Sequence, residues 1–270
     1  MNTLVYSALP LGLRKRMALW MKRQAWIPDR AWRAAGLLGD LARSDPDAYH
    51  RFLWSHHLAY AESYEPGQRF GAANLRPERR LLFEDLRRFL HGQGVKPESD
   101  IRSVLEVGCS LGHLLHYMET SVFPGAARLE GFDIDRQAIE RGNAWLRTQG
   151  SRVRLQCSDM ARMDNALEPQ RRYDVVVCAG VLMYLREEPA TEVLAAMLRR
   201  AGRLVVLSGL SHPDHDNSRL AHSVPRNTDG AFRHNFDAMA ARAGARVLFR
   251  RWSAAAPRGW NPPYFVFCSL

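Results

Sequence analysis

Lysine is nearly absent from this chain. Only Lys15, Lys22 and Lys96 occur among 38 basic residues, and the 35 arginines are scattered along the sequence, often beside Asp or Glu. A net charge of +10 and a pI near 9.9 raise nucleic acid as a partner. Dispersed arginine forms no phosphate-binding stripe, however, and a G+C-rich coding sequence explains the skew more economically, so nucleic acid is not the expected substrate. Cysteine is also scarce. Cys109, Cys157, Cys178 and Cys268 include no C-x-x-C pair and lie on or beside apolar strands, which excludes a disulfide framework and predicts small core residues of a reduced, cytoplasmic protein. No apolar run approaches about 20 residues and the N-terminus has no signal-peptide core, so neither a membrane span nor export is expected. There is no internal repeat and no Ser/His/Asp or Cys/His nucleophile pattern. Nothing in the sequence sets an oligomeric state.

What is present is organised around residues 103–115. An aliphatic, β-branched run (Val104, Leu105, Val107) carries Glu106, breaks at Gly108, passes Cys109, Ser110 and Gly112, and resumes as an apolar helix start at Leu114-Leu115. This reads as a buried parallel strand, a glycine loop and a helix N-terminus, where backbone amides can meet a ligand.

Glu-x-Gly-x-Ser-x-Gly resembles the first motif of the class I S-adenosylmethionine (SAM) dependent methyltransferases, acid-x-Gly-x-Gly-x-Gly, with Ser110 replacing the middle glycine. Three further segments follow in that family's order and spacing. Leu129 to Asp135 places Asp133 at a strand end, where the resemblance implies a carboxylate pairing both ribose hydroxyls and Ile134 against the adenine. Val153 to Cys157 leads to Asp159, implied to accept from the adenine amino group, and Met160, implied to cover the ring. Tyr173 to Ala179 is a buried fourth strand leading into Gly180 to Leu185, with Ala179 at the cofactor. The implied fold is α/β, a Rossmann-like methyltransferase fold whose seven-stranded, mostly parallel sheet runs in the order 3-2-1-4-5-7-6. Residues 101–270 form this SAM-binding domain and residues 1–100 a helical N-terminal lid.

The lid shows no strand pattern. Leu13, Met17, Trp20 and Met21 share one face of a basic amphipathic helix, extended by Trp26 and Trp32, that is expected to pack on its own domain. Ser44-Asp45-Pro46-Asp47 caps a second helix carrying Tyr49, Phe52, Leu53, Trp54, His56, His57, Tyr60 and Tyr64. Such an aromatic set is suited either to shielding a sulfonium or merely to packing on the core. Adjacent histidines cannot share a helix face, which argues against a metal at His56 and His57. An arginine ahead of the first strand suits the methionine carboxylate; Arg69, Arg76 and Arg79 compete for this role, and Arg79 is carried forward.

Ligands of open α/β sheets lie beyond the carboxyl ends of the strands, so Tyr184 after strand four and Ser211 and His212 after strand five, together with His57, are the expected acceptor-side polar residues. Asp216-Asn217 resembles the paired ligands of magnesium-dependent catechol methyltransferases, but strand four ends in Cys178-Ala179-Gly180 without the third oxygen ligand, so no metal is expected. Asn261-Pro262-Pro263-Tyr264 matches the tetrapeptide of amino-methyltransferases at the wrong place in the chain and reads as a turn before the last strand. Methyl transfer from SAM to an oxygen or nitrogen of a small molecule is the expected activity. The alternative, from resemblance to SAM-cyclising proteins of this fold, is closure of SAM itself to azetidine-2-carboxylic acid with release of methylthioadenosine; an RNA methyltransferase or a non-catalytic SAM-binding protein ranks below both.

Overall fold

The computed structural model describes residues 9–58, 65–226 and 228–270, which leaves Tyr60 and Tyr64 of the aromatic set outside. Parallel strands β1 (Ser103–Val107), β2 (Arg128–Asp133), β3 (Arg154–Cys157), β4 (Tyr173–Ala179) and β5 (Ala201–Ser208) form the sheet with an antiparallel edge. Two-residue strands β6 (Val224–Pro225) and β7 (Phe232–Arg233) make a separate hairpin. Strands β8 (Arg246–Trp252) and β9 (Tyr264–Ser269) complete the sheet, whose order is β3-β2-β1-β4-β5-β9-β8. The arrangement is the expected Rossmann-like one, differing in detail because the extra hairpin renumbers the last two strands.

Alternate residues of β1 point to opposite faces, and both faces are covered. Val104, Val175, Val206 and Phe267 pack with Leu82, Phe83, Leu86 and Leu90 of helix Pro77–Gly92. Leu105, Val176 and Val205 pack on the other side with Leu194 and Met197 of helix Glu187–Arg200 and Met239 of helix Phe236–Arg242. Helix Pro77–Gly92, although it precedes β1, is therefore the sheet's first covering helix. Residues 18–58 carry their own cluster of Ala18, Leu37, Leu38, Tyr49, Phe52, Leu53 and Leu58.

Two expectations change. In helix Leu11–Arg23 the buried side chains are Arg14 and Ala18, whereas Leu13 and Trp20 are exposed, as are Trp26 and Trp32. Arg14 turns inward because it is paired there, with the Asp40 carboxylate and the Leu37 carbonyl. Of the cysteines, Cys109, Cys178 and Cys268 are buried, but Cys157 ends the edge strand β3 and is exposed.

Candidate cofactor and acceptor site

The carboxyl ends of β1, β2, β4 and β5 open into a cavity of about 740 Å3, within the usual range of small-molecule sites, roughly 300–1,000 Å3. Glu106, Gly108, Cys109, Ser110, Asp133, Ile134, Asp159, Met160, Ala179, Arg79, Tyr184 and Ser211 all line it. Gly112 does not. It sits behind the wall at φ +79, where a Cβ would lie 2.8 Å from Leu155, so its role is close packing of the helix that starts at His113.

Asp133 faces the glycine loop. Its Oδ2 accepts from Ser110 N–H at 2.8 Å and its Oδ1 from Asp135 N–H at 2.9 Å, leaving lone pairs over for a ligand. Burial raises its pKa to about 6, against those backbone bonds, which lower it. Ser110 holds the place of the middle glycine and keeps the glycine-like backbone, at φ +50. Burial likewise lifts Glu106 well above the usual carboxylate range, partly offset by Arg79.

Arg79 reaches from its helix to the strand ends, donating to Ser208 Oγ at 2.7 Å and to the Ala179 carbonyl at 2.9 Å. Space for it comes from Gly180, at φ +76, where a Cβ would stand 2.5 Å from Arg79 Nη2. Arg69 and Arg76 also line the cavity. Asp159 is held by Arg51 of the helix Pro46–Ser55 and by Ala161 N–H.

Two expected acceptor-side histidines lie elsewhere. His57 Nδ1 contacts Asp135 Oδ2 at 2.5 Å in a buried pair outside the cavity lining, because the helix ends at Ser55 and a positive φ at His57 turns it away. The His212 ring lies tilted against His215 with centroids 3.7 Å apart and accepts from Asp214 N–H, also outside the lining. Ser211 lines the cavity, but its Oγ donates to the Ser253 carbonyl at 2.5 Å. Asp216 pairs with Arg250, while the Asn217 amide bridges His212, Leu210, His234 and Trp252. These two side chains are thus engaged in holding loops, and among the described residues no three His, Cys, Asp or Glu groups converge as metal ligands.

Several lining residues escaped the sequence reading. His50 and Arg51 share one face of helix Pro46–Ser55 with Asp47, already placed in the cap, and with Trp54, already placed in the aromatic set, at spacings of three, one and three. Arg226, Asp229 and Arg233 come from the unforeseen hairpin. The expected turn lies earlier, at residues 257–260; Asn261, Pro262 and Pro263 are extended into β9, which Tyr264 opens, and all four border the cavity, with Asn261 donating to Glu78 Oε1 at 3.0 Å.

Seven buried side-chain polar atoms lack a partner among the described residues, and five of them, His50 Nε2, Glu106 Oε2, Ser110 Oγ, His113 Nδ1 and Arg233 Nε, belong to residues that line this one cavity. Buried polar groups are rarely left unsatisfied, so their concentration here marks a ligand site.

Residues 104–202 match the family described as a methyltransferase domain. That segment runs from β1 to the start of β5 and includes the glycine loop, Asp133 and Tyr184. The chain is also similar in structure to a SAM-dependent methyltransferase of Leishmania major, with 14% identity over 89% of this chain and 90% of that one and a TM-score of 0.58. It resembles magnesium protoporphyrin IX methyltransferase of Synechocystis PCC 6803 with bound SAM, at 15% identity, 91% and 98% coverage and a TM-score of 0.52. The CcbJ methyltransferase of Streptomyces caelestis gives 17%, 77% and 93%, and 0.52. At such identities these likenesses establish the fold, which is that of the class I methyltransferases. No curated protein sequence matches the chain. No described helix is long and apolar enough to cross a membrane.

Proposed function

We propose that the chain is a SAM-dependent methyltransferase acting on a small molecule. The single observation that carries this reading is the gathering of unpartnered buried polar atoms, among the described residues, on side chains that line the same cavity as Asp133 and the glycine loop. Asp133 takes the ribose hydroxyls, Ile134 and Met160 flank the adenine, and Asp159 with Arg51 closes its polar edge. Arg79, already oriented by two bonds to the strand ends, places a fixed positive charge for the methionine carboxylate. When bound, SAM supplies a methyl group on a sulfonium, open to in-line attack. The residues' own work is alignment and exclusion of water. Residues 11–58, with their separate apolar cluster, act as the lid over the acceptor end, while the sheet and its helices hold the cofactor. Acceptors named in the similar structures, which include the magnesium porphyrin of the Synechocystis enzyme, agree with small-molecule chemistry.

Incubating purified protein with SAM alone and separating the products tests this. S-adenosylhomocysteine that forms only after an acceptor is added supports methyl transfer; methylthioadenosine from SAM alone replaces it with the cyclisation to azetidine-2-carboxylate. Absence of SAM binding by calorimetry would overturn both.

A further inference from the structure

Arg233 carries a charge into the cavity and has no counter-charge there. Among the described residues its guanidinium makes no hydrogen bond and no ion pair, and its Nε is buried without a partner. Elsewhere along the lining, Arg51 pairs with Asp159, Arg76 with Glu78 at 3.8 Å and Arg226 with Asp229, while Arg79 is bonded to the strand ends. Asp229, in the same hairpin as Arg233, is taken up by Arg226, whose Nε donates to Oδ1 at 2.9 Å, and by Ala231 N–H at 3.2 Å.

The fold holds Arg233 between the two loops of the acceptor side. It ends β7, with buried Phe232 before it and buried His234 after it, so alternation along the extended chain sends its side chain the other way, into the cavity. His234 anchors this position. Its Nε2 donates to the Leu182 carbonyl at 3.0 Å, in the turn after β4, and its own carbonyl accepts from the Asn217 amide at 2.8 Å, in the loop after β5. His212, in that second loop, feels the guanidinium: burial lowers its pKa first, then the charges of His215 and Arg233. A guanidinium withdrawn from water without a counter-charge destabilises the ligand-free protein, and a bound anion offsets that cost.

We propose that Arg233 receives a carboxylate of the acceptor, which is a small organic acid held by that group and methylated at another of its atoms. This rests on the reading of the cavity as a SAM site. The planar fork of an arginine matches the two oxygens of a carboxylate. One unpaired guanidinium matches one negative charge, and with Arg226 committed to Asp229 the hairpin has no second cation to offer a phosphate dianion. Bound SAM adds a sulfonium to the same cavity, which further favours an anionic acceptor over a neutral one. Tyr184 and Trp54, with ring centroids 5.3 Å apart, supply an apolar wall for the rest of the molecule.

The test loads the protein with S-adenosylhomocysteine, so that no reaction occurs, and titrates benzoate, its neutral isostere benzamide and inorganic phosphate by calorimetry at fixed ionic strength. Wild type should bind benzoate at least tenfold more tightly than benzamide or phosphate. Arg233→Met should lose at least tenfold in benzoate affinity, and Arg233→Lys, which keeps the charge without the fork, should lose less; benzamide should not respond to either change. Affinity for S-adenosylhomocysteine should stay within twofold of wild type in both variants, and the Tm of ligand-free Arg233→Met should equal or exceed that of wild type, because an unpaired charge has gone. Benzoate bound equally by wild type and Arg233→Met, no preference of wild type for benzoate, or a lowered Tm in Arg233→Met overturns the assignment. A tenfold loss of S-adenosylhomocysteine affinity in Arg233→Met also overturns it, by giving the guanidinium to the cofactor. Failure of wild type to bind S-adenosylhomocysteine at all would instead bring down the SAM reading on which the proposal rests.

Discussion

His57 Nδ1 lies 2.5 Å from Asp135 Oδ2, with both side chains buried and 78 residues between them. The same Asp135 caps the helix Arg136–Thr148, accepting from Ala138 N–H at 3.0 Å. One carboxylate thereby ties the segment after the helix Pro46–Ser55 to the helix Arg136–Thr148 behind the glycine loop. His57→Ala strands a buried carboxylate and should lower stability by about 1.5–3 kcal/mol, the scale of a hydrogen bond to a charged group. Thermal denaturation should show a fall in Tm, and limited proteolysis faster cleavage within residues 9–58. A variant with unaltered Tm that had lost turnover would restore His57 to the chemistry.

Asp133 should make ligand binding and stability respond to pH in opposite senses. Its folded pKa of about 6 lies above the ordinary 3.8, so between those values the folded chain keeps a proton that the unfolded chain has lost. Stability therefore falls as pH rises through that window, by at most about 3 kcal/mol from this group. Ribose hydroxyls donate to the ionised form, so SAM affinity should climb as pH rises through about 6. Asp133→Asn should flatten both trends and weaken SAM binding roughly tenfold to hundredfold. Calorimetry across this range checks the affinity and thermal melts the stability; a binding constant flat in pH would take Asp133 out of the site.

Arg79 and Gly180 should behave as a pair. Arg79→Met removes the charge, and the expected loss in SAM affinity is roughly tenfold to hundredfold. Gly180→Ala, with its Cβ 2.5 Å from Arg79 Nη2, should displace the guanidinium and weaken SAM binding in the same direction without touching the charge. Combining the two substitutions should cost less affinity than the sum of the singles, since they disable one interaction. Strict additivity would show that they act separately.

Ser110 pays for its position with a left-handed backbone, worth roughly 1–2 kcal/mol to a residue with a Cβ. Ser110→Gly should raise the Tm of the ligand-free protein. Because Oγ has no partner among the described residues, the same substitution should weaken SAM binding, by about 0.5–1.5 kcal/mol. A higher Tm with unaltered affinity would assign the hydroxyl to no ligand.

The strand–loop–helix at residues 103–115 and Asp133 at the end of β2 were legible in the sequence because each depends on local patterning. Apolar strand runs and a glycine loop declare themselves within a few residues. Which polar side chains share the cavity was not local. His57 and His50 lie on one short segment, and only the end of the helix at Ser55 and the approach of Asp135 from 78 residues away turn one out of the cavity and leave the other in it. The inward turn of Arg14 likewise needed Asp40, and the arrival of Arg226, Asp229 and Arg233 needed a hairpin of two-residue strands too short to leave a periodic signal. Periodicity determined the sheet; the choice among equivalent polar residues fell to long-range pairing, whose energy depends on partners that no window of sequence contains.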